Sequence, residues 1–293
     1  MKLRIGLPIF WFSDLINRPE GFEESYPKQV LKAAEIGFQH IEFVLNTHYF
    51  LRNPSQLFTK ECVQELMALK KEHNLTFSVH LPFWSVDPSS HIDRIRKATV
   101  EEISYLIENT LDLEPTTYVL HATGEFAAEV NSMKLSPEQK NALINFFAKN
   151  SRHFVKLLVE NLSQIGVPSK KIALESVKFP FKYSIELAKE FDTSLCIDVG
   201  HILAGYPGDV DLKEAFELSK HRVSEVHVHD VIKKMENGRL YVKDHSPIGS
   251  GTLNFHEVLD FLEEANFCGP LVLELKFEDA VNSLKIILGQ NYL

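Results

Sequence analysis

Short apolar runs recur along this chain, and six of them stop on side chains of the kind that bind metals. They are Phe77-Ser78-Val79-His80, Tyr118-Val119-Leu120-His121, Ile172-Ala173-Leu174-Glu175, Leu195-Cys196-Ile197-Asp198, Leu271-Val272-Leu273-Glu274 and Val226-His227-Val228-His229-Asp230. Runs of this length, rich in β-branched and aliphatic residues, read as buried strands. Together with Leu3–Leu7 and His40–Leu45 they predict strands at 3–7, 40–45, 76–80, 117–121, 171–175, 194–198, 223–229 and 270–274. The stretches between predict helices at roughly 23–36, 60–73, 91–112, 137–165, 183–191, 211–220, 255–265 and 279–289. The helix from Pro137 carries the clearest start signal: Ser136 as cap, Pro137 in the first turn and Gln139 closing a capping box. Alternating strands and helices imply a parallel sheet, and eight units allow closure into a (β/α)8 TIM barrel. No Pro/Gly-rich linker divides residues 1–293, so a single domain is expected.

In such barrels the chemistry sits at the C-terminal ends of the strands. The six ionisable ends are separated by about one βα unit each, so they form a ring at one mouth. Burying a charge without a partner is expensive, and a shared cation or substrate is the economical solution. Glu175, Asp198, His227 and Glu274 make a carboxylate-rich set with one imidazole, suited to Mn²⁺, Mg²⁺, Co²⁺ or Zn²⁺. The bland alternative pairs each carboxylate with a loop lysine. His80 and His121, beside Glu175, are either hydrogen-bonded core residues or the start of a second metal position. His201 and His245 are expected close to the same mouth. His229 shares a face with His227, since strand side chains alternate with period two. His40, His48, His73, His91, His153, His221 and His256 carry no pattern and read as surface or packing residues.

Composition narrows the partners. The 293 residues carry a formal net charge of −9, the opposite of what proteins that live on duplex DNA usually show. Against that background the basic loops stand out: Lys178 and Lys182, then Lys233, Lys234, Arg239 and Lys243, and Arg94, Arg96 and Lys97. They favour a small anionic substrate, plausibly a phosphate. No apolar stretch approaches the roughly 20 residues needed to span a bilayer, and no signal-peptide pattern opens the chain. Cys62, Cys196 and Cys268 are unpatterned, which suits a reducing cytoplasm, with Cys196 as core filling. A homo-oligomer is compatible with all of this. No phosphate loop, dinucleotide fingerprint, His-Glu-x-x-His or nucleophile elbow is present.

In order along the chain, Val79-His80-Leu81-Pro82, Leu120-His121, Leu174-Glu175-Ser176, Ile197-Asp198-Val199-Gly200-His201, Val226-His227-Val228-His229-Asp230, Asp244-His245-Ser246-Pro247-Ile248-Gly249-Ser250-Gly251 and Leu273-Glu274 resemble the xylose-isomerase-like superfamily of TIM barrels. That superfamily includes sugar and sugar-phosphate isomerases and epimerases, and an apurinic-site endonuclease branch. Resemblance to the isomerase and epimerase branch implies one divalent ion on Glu175, Asp198, His227 and Glu274, with Glu175 and Glu274 exchanging a proton next to a polarised carbonyl. It also implies that His201 contacts substrate oxygens; His245, Lys233 and Asp230 join it as expected substrate contacts. Resemblance to the endonuclease branch implies two or more ions: His80, His121 and Glu175 hold one, and Glu175 bridges to a second on Asp198, His227 and Glu274. A third ion there involves His201 and His245, but Lys243 stands where that branch has an aspartate, so Asp244 or Asp230 would have to substitute. Two enzymatic expectations follow, a sugar isomerase or epimerase and a two-metal phosphoester hydrolase acting on a nucleotide-like or corrinoid-type diester. A barrel that binds a sugar without turning it over is the third.

Overall fold

The computed structural model describes residues 3–9, 25–47, 58–130, 133–219 and 221–289. Eight parallel strands close into a barrel: β1 (Arg4–Ile9), β2 (His40–Val44), β3 (Thr76–His80), β4 (Tyr118–Leu120), β5 (Ile172–Glu175), β6 (Ser194–Asp198), β7 (Val223–Val228) and β10 (Pro270–Leu273). Neighbours in sequence are neighbours in the barrel, and β10 closes it against β1. The expected (β/α)8 barrel is therefore the observed one, with strand ends displaced by at most two residues.

Alternation along the strands divides the core into two compartments. Ile5 and Leu7, Ile41 and Phe43, Phe77 and Val79, Leu195 and Ile197, and Leu271 and Leu273 belong to the large cluster shared with the helices. The opposite parity fills the bore. There the apolar part is a separate small group, Val119, Ala173 and Cys196, which makes Cys196 the core filling that the sequence predicts. Most of the other bore positions are polar.

The helices around the barrel are α1 (Tyr26–Ile36), α2 (Lys60–Glu72), α3 (Asp93–Thr110), α4 (Glu125–Val130), α5 (Pro137–Gln164), α6 (Phe181–Phe191), α7 (Val199–Ala204), α8 (Leu212–Ser219), α9 (Phe255–Glu264) and α10 (Phe277–Gly289). The predicted capping box is present at α5: Ser136 Oγ accepts from the Gln139 amide and Gln139 reaches back to the Ser136 amide. Helices α4 and α7 are short and lack the length that makes periodicity readable.

Residues 230–246, which lie between the strand expected at 223–229 and the helix expected at 255–265, form an antiparallel hairpin, β8 (Asp230–Glu236) and β9 (Arg239–Ser246). Its turn is Asn237-Gly238, both with positive φ (50° and 74°), the backbone that a two-residue hairpin loop requires. Between Asp230↔Ser246 and Ile232↔Lys243 the register shifts, leaving one extra residue on β9. Such bulges bend a strand and re-aim its side chains. Here Asp244 and His245 lie in the bulge, and His245 takes a left-handed φ of 44°.

Residues 10–24 and 48–57, among them Phe10, Trp11, Phe12 and His48, lie outside the described residues. No helix among the described residues is long and apolar enough to cross a membrane.

Candidate active site

Strands β5, β6 and β7 end on Glu175, Asp198 and, one residue from the end, His227, while Glu274 follows β10 directly. All four are buried, with ligand atoms within 4.8 Å of one another. One atom of each has no hydrogen-bond partner among the described residues: Glu175 Oε1, Asp198 Oδ2, His227 Nδ1 and Glu274 Oε2. These atoms face one another. His227 Nδ1 is 3.4 Å from Glu274 Oε2 and 3.8 Å from Glu175 Oε1. His201 Nδ1 lies 3.3 Å from Glu175 Oε1 and 3.4 Å from Asp198 Oδ2. Buried polar atoms are nearly always satisfied, and each one left bare is costly. Three carboxylate oxygens and an imidazole nitrogen are the donor set of a divalent cation, so the residues fit such an ion. The loop-lysine alternative is not seen: no lysine pairs with any of the four among the described residues.

The remaining atoms of these groups are held from behind. Asp198 caps α7, its Oδ1 accepting the His201 amide at 2.6 Å, and the Ser176 hydroxyl accepts the Asp198 amide at 2.8 Å. His229 also serves Asp198. The His245 amide donates to His229 Nδ1 at 2.8 Å, so the ring's proton sits on Nε2, which faces Asp198 Oδ1 at 3.2 Å. The ring packs directly on Gly200, where any Cβ would collide with it. His201, His229 and His245 are close enough together to be read as a cation site, but the lone pair of His229 is already engaged. Asp244 Oδ2 pairs with His245 Nδ1 at 3.4 Å.

Glu175 Oε2 meets two further histidines, His121 Nε2 at 2.8 Å and His80 Nε2 at 3.1 Å. Burial alone would raise the Glu175 carboxyl, but His121, His201 and His80 hold it well below the usual range. Burial likewise opposes the charged form of His80, yet its contacts with Glu175 and the nearby Glu42 push it up to about 9. His80 Nδ1 faces the Leu81 carbonyl at 3.0 Å. A carbonyl only accepts, so Nδ1 carries a proton. In the neutral ring Nε2 would therefore present a lone pair to a carboxylate, and a proton or a cation must lie between them. Phe83 stacks on His121 with centroids 4.4 Å apart, closing that side of the mouth.

His245 reaches the centre from the bulge, its Nε2 3.5 Å from Glu274 Oε2. Of the other expected substrate contacts, two are not brought to the centre. Lys233 is exposed on the hairpin. Asp230 is buried and fully engaged, its carboxylate accepting from the amides of Val231, Gly249, Gly251 and Leu253 at 2.7–3.0 Å. It pins the hairpin and the loop beyond it. Among the basic residues Lys178 leans toward the mouth, its ammonium 5.9 Å from the centre of the Tyr206 ring, which itself lies against His201. Arg96 is held by the Ser90 carbonyl and Asp93.

Three buried residues beneath the centre, His40, Glu42 and Glu225, escaped the reading of the sequence. The signal was present in the alternation: His40-Ile41-Glu42 and Glu225-Val226-His227 place polar groups on the bore face of strands whose other face is apolar.

The fold is thus a closed parallel barrel with a ring of carboxylates and histidines at its C-terminal mouth. The chain belongs to the xylose isomerase-like TIM barrel family, whose model matches residues 30–287. An uncharacterized protein of Methanocaldococcus jannaschii is 28% identical over 291 residues, covering 95% of this chain and 87% of its own. A D-tagatose 3-epimerase-like protein superposes with a TM-score of 0.70 at 24% identity, over 99% of this chain and 97% of the other. The 3-keto-D-glucoside 4-epimerase of E. coli gives 0.68 at 18% identity, over 99% and 98%.

Proposed function

We propose that this chain is a divalent-metal-dependent isomerase or epimerase of a small sugar or sugar phosphate. The observation that carries the reading is the convergence of four unpartnered buried atoms, one each from Glu175, Asp198, His227 and Glu274. The fold shared with proteins described as sugar epimerases supports the same choice. When bound, the ion supplies Lewis acidity, polarising a substrate carbonyl and stabilising the negative charge that follows proton removal. Glu175 at the end of β5 and Glu274 just after β10 act as the general acid and base at the carbon beside that carbonyl. Burial would raise Glu274 as well, but His227 and His245 hold it well below the usual carboxylate range, so it is ionised. His201 is pushed up to about 9, with burial opposed by Asp198 and Glu175; it offers a charged donor to substrate oxygens. Lys178 supplies positive charge for an anionic substrate.

One observation favours a second reading, two-metal phosphoester hydrolysis. The His80, His121 and Glu175 Oε2 group is itself compact enough for an ion, and the tautomer of His80 calls for positive charge there. Elemental analysis of protein purified without added metal or chelator separates the two. About one ion per chain, with turnover of a ketose or ketose phosphate, supports the isomerase. Two ions with diester cleavage overturn it in favour of the hydrolase.

A further inference from the structure

Below the centre the bore stays polar where barrels of this kind ordinarily stack branched apolar side chains. His227 stands at the boundary. Its Nδ1 faces the centre, and its Nε2 faces downward, 3.2 Å from Glu42 Oε2 and 3.8 Å from Glu225 Oε1. Glu225 Oε1 accepts the Ser78 hydroxyl at 2.8 Å. That hydroxyl has one hydrogen, so the contact between Ser78 Oγ and His40 Nε2 at 2.8 Å must be donated by His40. In the neutral ring His40 Nδ1 then accepts from the Thr76 hydroxyl at 2.8 Å. Every hydrogen in the series points toward Glu225, which marks it as the negative end.

Room for this series is provided by Gly6, the residue of β1 in register with His40. A Cβ there would sit 2.8 Å from the imidazole. His40, Glu42, Ser78, Glu225 and His227 are all inaccessible to solvent. A line of hydrogen bonds across the bore therefore ends on Glu225, and Glu225 and Glu42 lie together under one imidazole.

An imidazole binds a metal through one nitrogen's lone pair, and a hydrogen bond from the other N–H fixes which nitrogen that is. We propose that Glu42 and Glu225 are positioning residues for the metal centre: beneath His227 they hold its proton on Nε2 and so present Nδ1 as the ligand. Ser78 and His40 fix Glu225 in turn. The inference rests on the reading that the four-atom centre holds an ion.

The test is calorimetric titration of Mn²⁺ or Co²⁺ into chelator-stripped full-length protein, for the wild type, Glu42→Gln and Glu225→Gln. Amide replacements keep the shape but remove the charge that orders the proton. Each variant is expected to bind the ion about 10- to 100-fold more weakly, with the metal-free melting temperature unchanged. Unaltered affinity in both variants overturns the positioning role alone, whereas a wild type that binds no ion overturns the metal reading beneath it. If the variants fold poorly, ¹⁵N NMR of the histidines in the Zn²⁺-loaded wild type decides. Metal on Nδ1 and a proton on Nε2 of His227 is the expected signature, and the reverse overturns the proposal.

Discussion

At the scale of single residues, the site is a set of histidines and carboxylates whose free atoms can be told apart by what their other atoms do. Glu274 has its Oε2 unpartnered between His227 and His245. Glu274→Gln removes both a ligand and a base, and turnover should fall by about 10²-fold or more; full activity in a steady-state assay would sink the assignment. His121 separates the two enzymatic readings. His121→Ala should leave substantial activity in an isomerase, while a two-metal hydrolase would lose nearly all. His80 predicts a pH dependence. Its folded value of about 9 lies above the ordinary 6.5, so its charged form stabilises the metal-free fold fully below about pH 6.5. That contribution is lost as pH rises through about 9. Melting of chelated protein should therefore move to lower temperature across this window, and His80→Gln should flatten the change.

Elements decide which residues meet. Strand ends were legible in the sequence because an ionisable residue closing a short apolar run marks both the end of a strand and the mouth of a barrel. Glu175, Asp198, His227 and Glu274 were readable for that reason. Residues in mid-strand were harder: Glu42 and Glu225 have the same chemistry, but their signal lay only in the alternation with apolar neighbours, not in a strand end. The hairpin of β8 and β9 was overlooked although Asn237-Gly238 between alternating residues is a strong local hairpin signal. Its bulge could not be read, because bulge position depends on pairing register rather than on composition. Asp230 carries the consequences of this element. Four backbone amides share its buried carboxylate, so Asp230→Ala should destabilise the fold by about 2–4 kcal/mol, measured by denaturant unfolding. His245, carried by the same hairpin, should also lose its ordered position.

On the scale of the whole molecule, the outer core between strands and helices is apolar and continuous, while the bore is a column of ionisable groups. An ion that binds only the folded chain stabilises it by mass action, about 2.7 kcal/mol at a hundred times its dissociation constant. Chelation should lower the melting temperature by roughly 5 °C for a chain of this size, and adding back the ion should restore it. A scan with and without chelator checks both.

The polar bore has a consequence for the protein's life in the cell. On the proposed metal reading, a chain whose fold is stabilised further by its ion would couple its own survival to nutrient supply. Copies made during metal scarcity would then unfold more often and be removed sooner by proteases, which act on the open form. Enzyme level would then follow the metal pool with no dedicated sensor, and the population that persists would be enriched in copies able to work.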